Sequence, residues 1–383
     1  MMNEIYFDAA ATQRPYKDII DTFTDISLKY YANPSALHSL GLEAERAIRA
    51  SAENIGKLLG VSREELYFTS GGTESNNMAI SGIAKARART HKHVITQLSE
   101  HPSVIQSFKK LESEGFDITW LAPDENGIIS PDQILQNLRE DTSLVSIMHV
   151  NNETGSINDI EKIGMAVKQA SSAYLFSDGV QGFSKIPVSL KYIDAYSFSG
   201  HKIGCVKGIG GLYLSESLRI IPLIAGGGQQ NNKRSGTENT AGVAALSKAS
   251  EKTFSNMAEN HSHVLSIKNK LAELENKLPD VHINAGGGNS SPYILNMSFL
   301  GIRSEVLLHA LAEDGIFVSA GSACSAGKKD KERNILHTMG YDKNIYESAV
   351  RFSFSEENTV EEAERCSDII VDKVNFLRKY TRR

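Results

Sequence analysis

The sequence predicts an α/β protein with a large domain built on a mostly parallel sheet and a smaller α+β domain. Three observations carry this prediction. From residue 65 to residue 214, short apolar runs alternate with helical stretches, which is typical of βα units that form a parallel sheet covered by helices. After residue 241 a long helical region is followed by strands and helices in an order that suits an α+β unit. At 383 residues the chain is also long enough for two hydrophobic cores.

The first part of the chain has a regular order of elements. A short strand at 5–7 precedes helical periodicity over 16–31 and 40–59, with the turn Asn33-Pro34-Ser35 between the two helices. Strands and helices then alternate. The predicted strands are 65–69, 93–97, 117–121, 143–148, 174–176, 195–198 and 211–214, and the helices between them begin near Glu74, Pro102, Pro131 and Asp159.

The second part begins with a helical pattern from about Ala241 to Leu278, followed by a glycine-rich turn at 284–288. Strands are predicted at 294–299, 317–318 and 350–353, with a helix around 306–311 and a last helix from Val360. We therefore expect a large domain at 13–255, and a small domain made of 1–12 and 256–383 that carries the cysteine loop described below.

Composition excludes several classes of protein. Hydrophobic residues make up 40% of the chain and charged residues 23%, as in soluble globular proteins, and a net charge of −5 offers no basic surface for nucleic acid. The N-terminus has no basic segment followed by an apolar one, and no run is long enough to span a bilayer. We expect a cytoplasmic protein that binds neither nucleic acid nor membranes. Three cysteines without a paired spacing argue against a disulfide framework or a zinc site.

A lysine just after a predicted strand is the first candidate for chemistry. The run 194–198 is typical of a strand and ends in Ser199-Gly200-His201-Lys202, although strand ends usually carry turn residues. A lysine held in a desolvated crevice has a lowered pKa and an amine nucleophilic enough to form a Schiff base. The alternative for Lys202 is an ordinary surface lysine on a loop.

Polar residues follow five of the predicted strands, at the carboxyl ends where open α/β sheets bind their ligands. Taken singly, each has an ordinary explanation as a helix cap or a turn. Their joint placement indicates a binding site. The residues are Ser70-Gly71-Gly72-Thr73-Glu74, Glu100-His101, Asn151-Asn152-Glu153, Asp178 with Gln181, and Ser199-Gly200-His201-Lys202.

This combination of groups indicates pyridoxal 5'-phosphate (PLP). A glycine-rich turn before a helix offers N–H groups to a phosphate, while a lysine, an acid and an imidazole suit the aldehyde, the ring nitrogen and the ring of PLP. Metal binding is a poorer interpretation, because His91-Lys92-His93 has no carboxylate or cysteine at ligand spacing. The glycines of 321–327 are not spaced as in a nucleotide-binding loop, and Lys329 stands where serine or threonine is required.

Several motifs occur in order between Asp8 and the last helix. They are TSGGTESNN (69–77), MHVNNE (148–153), SGHK (199–202), RSGTEN (234–239), GSACS (321–325) and RFS (351–353). In these motifs the chain resembles the NifS/IscS-type cysteine desulfurases, of the class V aminotransferase group. The resemblance covers nearly the whole chain and implies the PLP-dependent transferase fold of type I.

The resemblance also implies roles for individual residues. Lys202 would bond PLP and later move the Cα proton, His101 would stack on the ring and take part in proton transfer, and Asp178 would pair with the ring nitrogen. Arg351 would bind the substrate carboxylate through its forked guanidinium. The other implied contacts are Gln181 with the ring hydroxyl, Asn152 beside cofactor and substrate, Gly72, Thr73, Ser199 and His201 with the phosphate, Thr237 reaching in from the partner subunit, and Asn33 near the substrate.

Cys324 is the nucleophile that the resemblance implies. It lies in the small-residue stretch SAGSACSAG (319–327), a composition typical of a flexible loop, and the lysines at 328 and 329 favour its thiolate. The alternative is a structural cysteine. We expect Cys366, on an apolar helical stripe, to be packed. We expect the same of Cys205, in Gly204-Cys205-Val206, where the family commonly has Gly-Pro.

The protein predicted from these observations is a homodimeric cysteine desulfurase. It would take sulfur from L-cysteine, hold it as a persulfide on Cys324 and release L-alanine. An acceptor protein would then receive the sulfur for iron–sulfur clusters, thio-cofactors or tRNA. The nearest alternative is a selenocysteine lyase or another class V lyase or aminotransferase. An alternative of a different class is a catalytically idle scaffold that binds partners in a sulfur-transfer assembly.

Overall fold

The structure is a computed structural model, and it describes residues 4–287, 289–321 and 334–381. After a short strand β1 (Ile5–Tyr6), the chain builds a seven-stranded sheet with the spatial order β2-β8-β7-β6-β5-β3-β4. The five strands from β7 to β4 are parallel, and β8 runs antiparallel to both of its neighbours. The strands are β2 (Leu66–Thr69), β3 (His93–Gln97), β4 (Asp117–Leu121), β5 (Thr142–Ser146), β6 (Tyr174–Asp178), β7 (Ala195–Ser199) and β8 (Gly210–Leu214).

Helices cover both faces of this sheet. Successive strand residues point to opposite faces, so Val94 and Leu144 belong to the apolar cluster under α3 and α4, while Ile95 and Val145 belong to the cluster under the other helices. This arrangement buries the parallel strands β3, β5, β6 and β7 on both sides, whereas the edge strand β4 is partly exposed. The helices are α1 (Lys17–Lys29), α2 (Ser39–Leu59), α3 (Gly72–Arg87), α4 (Pro102–Ser113), α5 (Pro131–Asn137), α6 (Ile160–Ala170) and α7 (Thr240–Ser255).

A second set of elements follows α7. A four-stranded antiparallel sheet has the order β12-β13-β10-β9, and β1 pairs with β11 in parallel. The elements are α8 (Met257–Ala272), α9 (Leu274–Lys277), β9 (Val281–Ile283), β10 (Ile294–Phe299), α10 (Ser304–Glu313), β11 (Ile316–Phe317), β12 (Ser319–Ala320), α11 (Ile335–Thr338), α12 (Lys343–Glu347), β13 (Ala349–Ser353) and α13 (Val360–Thr381).

The predicted fold class is confirmed, with local differences. The expected strand at 317–318 is two strands, because β11 pairs with β1 whereas β12 pairs with β13. The helix expected near Glu74 begins at Gly72, and the helical region up to Leu278 is divided into three helices. The strand expected at 143–148 ends at Ser146.

The hydrophobic clusters bear on the expected division into domains. Ile5 and Phe7 share a cluster with residues from 264 to 374, whereas the two clusters of the large sheet draw on residues from 16 to 249. The boundaries at 12/13 and 255/256 stay a prediction that agrees with this distribution. Within the described ranges, no helix combines the length and the apolar composition needed to cross a membrane.

Candidate active site

The predicted site residues gather around a cavity of about 740 Å³ at the carboxyl ends of the large sheet. Its walls come from the segments that follow β2, β3, β5, β6 and β7, from residues 10–12 after β1, and from β13. The volume is typical of a small-molecule site. The predicted residues that line it are Gly72, Thr73, His101, Asn152, Asp178, Gln181, Ser199, His201, Lys202 and Arg351.

Lys202 lies in a 3₁₀ turn, Gly200–Lys202, that directly follows β7. Its Nζ donates hydrogen bonds to the carbonyl oxygens of Ala10 at 2.5 Å and Ala11 at 2.7 Å. Burial, together with the charge of Arg351, lowers the pKa of Lys202 to about 8, although the nearby aspartates oppose the shift. Much of the amine is therefore neutral near pH 8, and the neutral amine is the nucleophilic form.

Asp178 ends β6 and is almost fully buried. Its Oδ2 accepts a hydrogen bond from Asn76 Nδ2 at 2.7 Å, and its Oδ1 accepts one from the backbone N–H of Val180 at 3.0 Å. The amide of Asn76 is held in turn by Ser197, whose hydroxyl donates to Asn76 Oδ1 at 2.6 Å. These contacts fix the carboxylate at the cavity wall. Gln181 lines the same wall and donates to the carbonyl oxygen of Ala10 at 2.9 Å.

His101 is the residue that caps α4. Its Nδ1 accepts a hydrogen bond from the backbone N–H of Ser103 at 3.2 Å, and Ser103 Oγ lies 2.8 Å from the same nitrogen. Burial lowers the pKa of His101; the charge of Asp178 opposes this effect, and that of Lys202 adds to it. The imidazole is therefore neutral at neutral pH.

One end of the cavity is suited to an anion. Helix α3 begins there at Gly72, and the first N–H groups of a helix have no partner within it. A Cβ on Gly72 would lie 2.6 Å from a methyl carbon of Val180, so glycine permits this close approach to the sheet. The pKa of His201 is lowered to about 4, mainly by burial and then by the charges of Lys202, Lys207 and Lys185. The exposed Lys207, which also lines the cavity, adds positive charge that favours a phosphate.

Arg351 reaches the cavity from β13. Its guanidinium donates to Asp8 Oδ1 at 2.7 Å and to the carbonyl oxygen of Asn152 at 2.9 Å. The hydroxyl of Ser319 donates to the same oxygen of Asp8 at 2.8 Å. Asp8 therefore anchors Arg351 from the segment after β1, and the fixed guanidinium is suited to bind a carboxylate.

The residues present fit PLP. Ser199 and Asn152 line the cavity, and Ser199 Oγ and Asn152 Oδ1 are buried atoms without a hydrogen-bond partner among the described residues, whereas buried polar atoms are normally paired. An amine of lowered pKa, a fixed carboxylate and a neutral imidazole suit the aldehyde, the ring nitrogen and the ring face. The described part of the chain contains no cluster of His, Cys, Asp and Glu suited to a metal ion.

Two of the predicted site residues that the structure describes do not line this cavity. Asn33 is exposed, and its Oδ1 accepts a hydrogen bond from the backbone N–H of Ser35 at 2.9 Å. Thr237 is also exposed, away from the cavity of its own chain. Cys324 lies outside the described residues.

The predictions for the other two cysteines are confirmed. Cys205 is fully buried, and burial raises its pKa to about 12. Cys366 is buried in the apolar cluster beneath α13, and burial raises its pKa as well. Gly204, at φ +71°, gives the turn after Lys202 its shape, and its carbonyl oxygen accepts a hydrogen bond from the backbone N–H of Tyr16 at 2.9 Å. The chain after the lysine is thus tied to the segment before α1.

Sequence reasoning missed four residues that support the site. Asn76 and Ser103 follow predicted residues by three and two positions, and this proximity was the only signal for them. Asp8 was noted only as the start of the motif region. Lys185 is 4% exposed, and burial, with the charge of Lys202, lowers its pKa to about 7. No sequence pattern marked Lys185, because its burial depends on chain segments that are distant in sequence.

A lysine, an acid and an imidazole beside an anion-binding helix N-terminus, all at the carboxyl ends of a doubly wound sheet, define a PLP-dependent enzyme of fold type I. Comparison with known families makes the assignment specific. The sequence model of the family described as Aminotransferase class-V matches residues 5–366. The chain belongs to this family.

Relatives and solved structures agree with the assignment. The chain is 40% identical over 364 residues to a "NifS/IcsS protein homolog" from Lactobacillus delbrueckii subsp. bulgaricus, with 94% of each chain covered. It is 36% identical to "Cysteine desulfurase IscS" from Dictyoglomus turgidum, with 99% of this chain and 98% of the relative covered. A solved "NIFS-LIKE PROTEIN" superposes with a TM-score of 0.91 at 33% identity, covering 97% of this chain and all of that one.

Proposed function

We propose that this protein is a PLP-dependent cysteine desulfurase that converts L-cysteine to L-alanine and transfers the sulfur to an acceptor. The observation that carries the proposal is that Arg351 and Lys202 line one cavity. A guanidinium that binds a carboxylate, beside an amine of lowered pKa, suits an α-amino acid. The names of the relatives support cysteine as that amino acid.

Individual residues have the following roles in this proposal. When bound, PLP withdraws electrons from the α carbon of the amino acid and so weakens the bonds around it. Lys202 would hold the cofactor covalently and would then move the proton at the α carbon. Asp178 would pair with the ring nitrogen, and His101 would lie against the ring. Gln181 would contact the ring hydroxyl, and Arg351 and Asn152 would orient the substrate.

The phosphate would be held by the N-terminus of α3, at Gly72 and Thr73, and by Ser199 and His201. The unpartnered hydroxyl of Ser199 and the lysine charges around His201 support this assignment. Since such a site binds a dianion through backbone N–H groups as well as side chains, loss of one hydroxyl is expected to weaken PLP binding without abolishing it.

Cys324 would accept the sulfur. Its thiolate forms a bond with the substrate sulfur while the Cβ–S bond breaks, and the electron pair of that bond stays with the carbon, which takes a proton to become the methyl group of alanine. The product on the protein is a Cys324 persulfide, so the atoms of cysteine and thiol equal those of alanine and persulfide. Burial of Cys205 and Cys366 favours Cys324 as the reactive thiol.

We propose that the active protein is a homodimer. Three large apolar side chains are mostly exposed near Asn33, namely Leu28 at 74%, Tyr31 at 73% and Leu37 at 93%, and exposed apolar surface of this kind is typical of an interface. Asn33 and Thr237, which do not line their own cavity, would serve the partner's site. We further propose a cytoplasmic location and a role in iron–sulfur cluster, thio-cofactor or tRNA sulfur supply.

The experiment that tests the proposal measures sulfide and alanine release from L-cysteine in the presence of a reductant, with the visible absorption of the cofactor followed in parallel. The wild type is expected to turn over, whereas Cys324→Ala is expected to change the cofactor spectrum with cysteine and release neither product. Cys205→Ala is the matched control and is expected to keep its activity, because a buried thiol is unreactive.

Two outcomes would contradict the proposal. Full activity in Cys324→Ala would show that no thiol at this position is needed, which favours a selenocysteine lyase or another lyase on the same fold. A purified protein that holds no PLP and does not change L-cysteine would favour the idle, partner-binding scaffold.

A further inference from the structure

We propose that Ser103 and Asn76 are positioning residues that hold His101 in the tautomer with its proton on Nε2. In this form His101 is a hydrogen-bond donor toward the cavity contents, and the movement of the α proton is left to Lys202. The tautomer rests on geometry alone, while its importance for catalysis rests on the function proposed above.

The directions of the hydrogen bonds follow from the groups involved. Ser197 Oγ lies 2.6 Å from Asn76 Oδ1, which is an acceptor only, so the hydroxyl of Ser197 donates. The amide nitrogen of Asn76 then donates one proton to Asp178 Oδ2 at 2.7 Å and the other to Ser103 Oγ at 2.9 Å. The reverse orientation of the amide would set its oxygen against the carboxylate of Asp178.

The direction of the contact between Ser103 and His101 follows from the two donors that Ser103 offers to one ring nitrogen. Because Ser103 Oγ accepts from Asn76, its own proton is free to donate to His101 Nδ1 at 2.8 Å. The backbone N–H of Ser103 donates to the same nitrogen at 3.2 Å. A nitrogen that accepts two such bonds carries no proton, so the proton of the neutral ring lies on Nε2.

Burial keeps this network intact. Asn76 is 1% exposed, Ser197 0%, Asp178 4% and Ser103 9%, so water does not replace a lost partner without cost, and each unpaired group carries a desolvation penalty. Protonation of His101 at Nδ1 would break the bond from the backbone N–H of Ser103 and would require the Ser103 hydroxyl to accept instead of donate. The same network links Asp178 to His101 through Asn76 of α3 and Ser103 of α4.

The test is nitrogen NMR of holoenzyme labelled with ¹⁵N-histidine, with the His101 signals assigned from their absence in His101→Gln. In the wild type at about pH 8, Nδ1 is expected to have the shift of an unprotonated nitrogen and Nε2 that of a protonated one. Ser103→Ala loses the shorter of the two bonds to Nδ1 and keeps only the backbone donor, so the proportion of the two tautomers is expected to change. Ser103→Thr keeps the hydroxyl and is expected to restore the wild-type signals.

Ser107→Ala is the matched control, because Ser107 is a buried serine of the same helix whose hydroxyl donates to a backbone carbonyl at 2.8 Å. It is expected to leave the His101 signals unchanged. The proposal is overturned if the wild-type proton lies on Nδ1 or if Ser103→Ala leaves the signals unaltered. Ser103→Ala is also expected to lower kcat roughly fivefold to tenfold. A loss of kcat in Ser103→Ala with His101 signals like those of Ser107→Ala would count against the proposal.

The NMR result is independent of the proposed reaction. A holoenzyme that shows the expected tautomer and its loss in Ser103→Ala, yet releases no sulfide from L-cysteine, refutes the proposed function and leaves the positioning role in place. A cysteine desulfurase whose His101 carries its proton on Nδ1 refutes the positioning role and leaves the proposed function in place.

Discussion

Arg351 donates a hydrogen bond to Asp8 at 2.7 Å, and the two residues are 343 positions apart in the chain. Asp8 follows the opening strand, β1, which joins the parts of the chain that come after the large sheet. The ion pair is largely shielded from water, since the two side chains are 10% and 19% exposed. The start of the sequence therefore sets the orientation of the side chain that we assign to substrate binding.

We expect Asp8→Ala to raise KM for L-cysteine about tenfold, equivalent to about 1.4 kcal/mol, with a smaller effect on kcat. Without the carboxylate, the guanidinium loses its fixed orientation. Steady-state kinetics measure the effect. Asp8→Asn keeps an oxygen acceptor for Arg351 and Ser319. Its KM for L-cysteine is expected to lie between those of Asp8→Ala and wild type. An unchanged KM in Asp8→Ala would mean that Asp8 does not orient the substrate site.

We expect Lys202→Ala to bind PLP without a covalent bond and to lose roughly 10³-fold in kcat, as expected when a general base is removed. Borohydride reduction followed by peptide mass mapping measures the covalent attachment. Lys207 is the matched control, because it lines the same cavity, and Lys207→Ala is expected to keep the cofactor on residue 202. Covalent attachment that survives in Lys202→Ala would contradict the assignment.

The lowered pKa of the buried Lys185 predicts that the free energy of unfolding depends on pH. Its pKa is lowered to about 7 by burial and by Lys202, whereas a lysine in the unfolded chain has its ordinary value near 10.4. Between these values the unfolded chain binds the additional proton, so the contribution of Lys185 to stability rises with pH over about 7 to 10.4. Below pH 7 the folded protein must bury a charged amine.

Lys185→Met is therefore expected to be more stable than wild type by roughly 4 to 5 kcal/mol near pH 6, with the difference vanishing above about pH 10. Urea unfolding of the two proteins at a series of pH values provides the measurement. A constant difference across this range would show that Lys185 has an ordinary pKa in the folded protein.

The surroundings of Gly204 predict that a side chain at this position would clash with Tyr16. It has φ +71°, and a Cβ there would lie 2.2 Å from a ring carbon of Tyr16. Gly60 is a matched control with φ +70° and open space around the added carbon. Gly60→Ala is expected to cost about 1 to 2 kcal/mol for the left-handed backbone, and Gly204→Ala about 2 kcal/mol more for the clash. Equal costs in urea unfolding would show that Tyr16 moves aside freely.

Sequence reasoning located most strands and helices because their patterns are local. The alternation of apolar runs with amphipathic stretches depends only on neighbouring residues, and so does the placement of Lys202 or Asp178 at a strand end. The division of 316–320 into β11 and β12 was not predicted, because it depends on two different partner strands. Asn76 and Ser103 were missed for the same reason, since a buried amide or hydroxyl acquires its role from the groups that tertiary packing brings to it.

The α/β class, the order of elements and the residues suited to PLP could all be predicted, since they follow from periodicity and from motifs of adjacent residues. Which of these residues meet depends on tertiary packing. It joined Asp8 to Arg351, linked Asp178 to His101 through Asn76 and Ser103, and buried Lys185 near Lys202. Hydrogen bonds and pKa shifts depend on distances of a few ångströms and on the exclusion of water, and both arise only when distant segments pack together.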